Sequence, residues 1–117
     1  MFTVEFYETL EGKCPVGEFL DQLEPKMAAK LIGLMGILEE KGMELRMPYS
    51  EYLEDGIFEL RCKQGSNITR VLYFFFSGKR IIATNGFIKK TQKTPLRELK
   101  IAKDRREDWL KRNEKDL

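Results

Sequence analysis

The sequence predicts a small α+β fold in the order β-α-α-β-β-β-α. A twisted, mainly antiparallel sheet carries an N-terminal helical hairpin and a C-terminal helix. Three observations lead there. Alternating or continuous apolar runs mark strand segments near the start and in the second half of the chain. Two prolines each head an apolar stripe with helical spacing. Short glycine-containing connections separate the last three strands, as in antiparallel hairpins. A chain of 117 residues with 42% hydrophobic content suits one domain, 1–117, with its own core.

The first strand is read over Phe2 to Tyr7, with Phe2, Val4 and Phe6 on one side and Thr3, Glu5 and Tyr7 on the other. Pro15 opens a short helix that buries Phe19, Leu20 and Leu23. Pro25 opens a second helix with the stripe Met27, Leu31, Leu34, Met35 and Leu38, and Gly42 is its stop. The methionines read as core fillers. Residues 43–56 read as a connecting loop containing Pro48 and the turn pair Asp55-Gly56. The strands Ile57–Lys63, Ile68–Phe76 and Arg80–Ile88 follow. Thr94 as N-cap and Pro95 at the first helical position open the last helix. Its apolar positions are Leu96, Leu99, Ala102, Trp109 and Leu110. Arg105 and Arg106 interrupt that stripe, so its latter part is expected to dock loosely or to face a partner. The helical hairpin is placed on one face of the sheet, leaving the other free for polar function.

Composition excludes several chemistries. The chain has no histidine and two cysteines, Cys14 and Cys62, without CxxC spacing. A zinc site is not expected, and Ser-His and Cys-His nucleophiles are excluded. The thiols read as reduced and mostly buried. No apolar run reaches the ~20 residues of a membrane span, and no signal-peptide pattern opens the chain. A soluble, cytoplasmic protein is the expectation. The net charge of +2 is unevenly spread: residues 1–86 carry 10 basic and 13 acidic side chains, residues 87–117 carry 11 and 6. That asymmetry points weakly to a polyanionic partner.

The most informative stretch is Asn85-Gly86-Phe87-Ile88-Lys89-Lys90-Thr91-Gln92-Lys93-Thr94-Pro95. It reads as a strand emptying into a cationic turn that opens a helix, where lysines and free backbone N–H groups favour phosphate. Strand alternation puts Glu59, Arg61 and Lys63 on one side of their strand, opposite the core residues Phe58, Leu60 and Cys62. Asn85, Phe87 and Lys89 share a side of theirs. A meander in suitable register brings Arg61, Arg70 and the Phe87–Lys90 corner together. Blander readings stand beside these: cross-strand ion pairing for Glu59 and Arg61, a solvated strand end for Arg70, and a solvated turn for Lys89, Lys90 and Lys93.

Three segments, Leu53–Arg61, Thr69–Phe74 and Gly86–Pro95, in this order and spacing, resemble the phage-derived branch of the RelE/HigB toxins of type II toxin–antitoxin systems. The hairpin after the first strand agrees, so the resemblance covers nearly the whole chain. It implies a concave basic face and an endonuclease that cuts mRNA held in the ribosomal A site, with no cofactor. It also implies a helix-turn-helix antitoxin, through which alone operator DNA is bound. On that mapping Arg61 and Arg70 hold phosphate, and Lys89 and Lys90 lie near the family's basic residue at the end of the last strand. The sequence departs from the family at Glu59, where some relatives carry lysine, and after Tyr73, where no tyrosine or histidine supplies an acid or base.

RNA carries its own nucleophile, the 2′-OH. The expected work is alignment and charge stabilisation, to which Arg and Lys clusters are suited. Arg61 and Arg70 are assigned to clamp the phosphate. Lys89 or Lys90 is assigned to stabilise charge or move a proton, with Glu59 as the other base candidate. Lys63, Lys93 and Thr94 are RNA-binding candidates. Phe87 either stacks on a base or belongs to the core. The competing classes are a ParE-like gyrase poison without nuclease chemistry and a non-toxic nucleic-acid-binding module.

Overall fold

The computed structural model describes residues 1–89 and 93–113. Among these the chain runs through β1 (Thr3–Phe6), α1 (Pro15–Gln22), α2 (Pro25–Lys41), a 3-10 turn (Gly42–Glu44), β2 (Ser50–Glu54), β3 (Ile57–Gln64), β4 (Asn67–Phe76), β5 (Arg80–Lys89) and α3 (Leu96–Arg112). The strands form one sheet in the order β1-β5-β4-β3-β2. Every pairing is antiparallel except β1 with β5, which is parallel. No helix among the described residues is long and apolar enough to cross a membrane.

The α+β class and the order of elements agree with the sequence reading, with one addition. Residues 43–56 are not only a loop: Ser50–Glu54 forms β2, which pairs along β3 through Ser50↔Leu60, Glu51↔Glu59 and Tyr52↔Phe58. The strand exists because β3 presents an unpaired edge and because Tyr52 packs edge-on against Phe58, ring centroids 5.1 Å apart. Asp55 and Gly56, with φ of 50° and 77°, make the reversal. Positive φ at both central residues is the geometry of the tight hairpin turn that matches strand twist.

The helices α1 and α2 lie on one face. Val16, Met27, Leu31, Leu34, Met35 and Leu38 pack there against Leu60, Cys62, Val71, Tyr73 and Ile81. Phe2, Val4 and Phe6 join this core, while Tyr7 belongs to the opposite one, as their alternation requires. Both cysteines are free thiols, Cys62 buried and Cys14 partly so. Gly42 ends α2 at φ 56°, and a Cβ there would stand 2.1 Å from the Phe2 ring. Backbone conformation and close packing both demand glycine at that position.

The second face is not left free. Leu99, Ala102 and Trp109 of α3 bury against Tyr7, Ile57, Leu72, Phe74 and Ile82, and burial of the Leu99 or Trp109 side chain contributes roughly 1.5–3 kcal/mol. Nor does the latter part of α3 dock loosely. Arg105 donates to the Thr84 carbonyl at 2.9 Å, and Arg106 grips Asp55 through its carbonyl and, at 2.8 Å, its carboxylate. The two arginines that break the apolar stripe are thus its polar fasteners.

Candidate functional site

The register settles which candidates meet. Across β3, β4 and β5 the pairings align Arg61, Arg70 and Phe87 in one row on the α3 side of the sheet. Glu59, Leu72 and Asn85 form the adjacent row toward α3, and Lys63, Ile68 and Lys89 the row on the other side. The α3 helix covers Leu72 and Phe74, so the Arg61–Arg70–Phe87 row lies past its N-terminal end.

Burial changes the character of this row. Arg70 and Glu59 are both 0% exposed and Arg61 is 8% exposed. The polar strand face expected at the surface is therefore an internal ion cluster. Glu59 sits between the two guanidiniums, with Arg70 Nη1 3.6 Å from Oε2 and Arg61 Nε 3.6 Å from Oε1. Arg61 reaches outward to Glu51 Oε2 at 3.5 Å and to the Met47 sulfur at 3.7 Å. Charges removed from water are costly unless paired, and here each finds an opposite partner.

Thr94 was expected to cap the last helix. Instead the helix starts at Leu96 after Pro95, without a side-chain cap hydrogen bond. The Thr94 hydroxyl is buried and donates to Glu59 Oε2 at 2.5 Å. The hydroxyl gives its proton to a buried carboxylate, a strong charged acceptor, and so ties the segment before α3 to the ion cluster. Behind it Asn85 Nδ2 donates to the Glu98 carboxylate at 3.0 Å, and the Thr84 hydroxyl donates to Asn85 Oδ1 at 2.6 Å. The start of α3 is thereby positioned by polar contacts from β3 and β5.

Of the remaining candidates, Lys63 and Lys93 are exposed. Phe87 is half-buried and packs against the α3-side core. Lys90 lies outside the described residues, and only the backbone of Lys89 is described. The arrangement thus has two levels: arginine and glutamate inside, lysine at the surface. Sequence reasoning did not find Glu51, Met47 or the Glu59–Thr94 bond. Glu51 and Met47 were assigned to a loop, and only the Asp55-Gly56 hairpin signal pointed to the strand that brings Glu51 beside Arg61.

A model of the family described as phage-derived protein Gp49-like matches residues 18–107. The match runs from α1 into α3 and includes each candidate residue from Glu59 to Thr94. No curated protein matches the chain.

Proposed function

Because the chain belongs to the phage-derived Gp49-like family, which is associated with toxin–antitoxin modules, we propose that it is the toxin of such a pair and inhibits translation by cutting mRNA. The observation that carries this reading is the alignment of Arg61, Arg70 and Phe87 in one row beside the strand end that leads into Lys89, Lys90 and Lys93. The exposed Lys63 and Lys93, on the segments that carry the buried Arg61 and follow the Arg61–Arg70–Phe87 row, favour a polyanion, and the half-buried Phe87 ring suits an unpaired base.

In the proposed reaction the 2′-oxygen bonds to the adjacent phosphorus and the P–O5′ bond breaks. The products are a 2′,3′-cyclic phosphate and a 5′-hydroxyl end. Lys89 or Lys90 moves a proton, taking it from the 2′-OH or giving it to O5′. Lys63 and Lys93 bind flanking phosphates. Arg61, nearest the surface of the arginine pair, contacts the scissile phosphate. Arg70 and Glu59, without access to solvent while Thr94 lies against them, position Arg61. A helix-turn-helix antitoxin neutralises the protein and links it to operator DNA, and the message is cut in the ribosomal A site.

Inducing the protein and mapping cellular RNA ends tests this directly. New 5′-hydroxyl ends inside coding sequences are expected, and Lys89→Ala/Lys90→Ala should abolish them without changing the melting temperature. DNA damage with intact RNA would assign the chain to gyrase poisoning instead. Undisturbed growth would make it a non-toxic binding module.

A further inference from the structure

The helical-hairpin side of the molecule carries an apolar groove that meets the proposed chemistry only at Lys63, beside Lys30 at one end. Two cavities of about 520 Å³ each meet at Ile37 and Tyr49. One wall is the outer face of α2, where Lys30, Gly33, Leu34, Ile37 and Lys41 recur at three- and four-residue spacing. The facing wall is the segment from Arg46 to Tyr49. Ile37 is 43% exposed, Tyr49 53% and Met47 56%. Large apolar side chains grouped in one concave place, rather than scattered, mark a contact surface, and methionine adapts to what docks on it. At Gly33 an added Cβ would meet nothing within 4 Å, so a partner backbone can approach closely there.

Length and charge define the occupant. From Lys30 to Lys41 the helix wall is roughly 16 Å long at about 1.5 Å per residue, the length of three helical turns. Lys30 stands at one end, where its ammonium also donates to the Lys63 carbonyl at 2.5 Å. Lys41 and Arg46 stand at the other, and among the described residues that line the groove Glu44 is the one acid. A groove that is apolar along its middle and basic at both ends complements a three-turn amphipathic helix with carboxylates at its two ends. RNA fits it poorly, because the middle offers no cations, and a membrane surface cannot enter a concave site.

We propose that this groove anchors the neutralising partner through such an acidic amphipathic helix, on the face of the sheet away from α3. The inference rests on the toxin reading for the identity of the partner, and its test separates the two. The probe is the protein encoded beside this chain, purified and titrated, and also co-expressed. Ile37→Asp and the double variant Lys30→Glu/Lys41→Glu alter exposed side chains only, and equal melting temperatures will verify their fold. Ile37→Asp should weaken binding roughly 30-fold or more, the loss typical of a central interface residue. The charge reversal should weaken it and remove its salt dependence. Both variants should still arrest growth, now without rescue by the partner. Equal affinity of wild type and variants overturns the proposal, as does absence of binding by wild type. Self-association of the chain that Ile37→Asp disrupts would assign the groove to a second copy and overturn it too. If wild type does not arrest growth, the toxin reading fails while the affinities still decide the groove.

Discussion

Arg70 shows how burial redirects an experiment. At the surface, Arg70→Ala would be a clean test of phosphate binding. Here the guanidinium is fully buried against Glu59, so its removal leaves a carboxylate out of water with one of its two guanidinium partners. The expected cost is about 3–5 kcal/mol of folding stability, measured by urea denaturation. Thr94→Val keeps the shape but deletes the donor to that carboxylate, for an expected loss of roughly 1.5–3 kcal/mol. Tyr73 gives a pH signature. Burial pushes its phenol from 10.0 up to about 12, against a lowering contribution from the hydrogen bond it shares with Ser50. The folded state therefore holds this proton more tightly than the unfolded chain. The stability that difference supplies is complete below pH 10 and is lost as pH rises through 12. Relative to Tyr73→Phe, wild type should lose about 2 kcal/mol between pH 9 and pH 12, read from urea midpoints alongside tyrosinate absorbance.

Among the elements, α3 and β2 departed furthest from expectation. Trp109 packs edge-on against Phe74 and Phe76, with the Arg80 guanidinium 5.0 Å from its ring centre. Beyond it Tyr7 donates to Asp108 at 2.7 Å, and Arg112 binds the same carboxylate. The Tyr7 and Arg112 hydrogen bonds hold Asp108 below its ordinary carboxylate range. Trp109→Ala should cost about 3–5 kcal/mol and raise amide exchange across α3 first. These contacts were not legible because an arginine reads as solvent-seeking until a carbonyl acceptor such as that of Thr84 is placed opposite it. Strand β2 was missed for a different reason: Ser50–Glu54 has five residues, three of them polar, and follows a proline. The Asp55-Gly56 pair marked the hairpin, but a hairpin needs a strand on both sides. Helices α1 and α2 were readable because proline starts, apolar spacing and the Gly42 stop agree with one another. Gly42→Ala should test that stop, costing at least ~1 kcal/mol from strained φ alone and more from the Phe2 clash, again by urea denaturation.

Across the whole molecule, alternation grouped Arg61 with Glu59 and Phe87 with Asn85, and the register joined Arg61 and Phe87 to Arg70 in one row. Exposure could not be read the same way. It depends on α3 and Thr94 closing over the sheet, a contact between segments about 35 residues apart. Basic charge concentrated after residue 86 was legible from composition, and part of it is consumed internally: Lys103 pairs with Glu54, and Arg106 with Asp55.

The parallel pairing of β1 with β5 also governs when this protein can exist at all. Phe6 faces Ala83 across the ladder, and the Phe2 amide and the Val4 amide are held by Glu39 of α2. A chain emerging from the ribosome in sequence order exposes β1 before its partner strand, and β1 stays unmatched in the sheet until residues 80–83 are free. The row containing Arg61, Arg70 and Phe87 is finished only with β5, and its cover only with Thr94 and α3. Synthesis order therefore acts as a timer: a chain whose proposed activity stops translation cannot assemble that activity before β5 and α3 have been made.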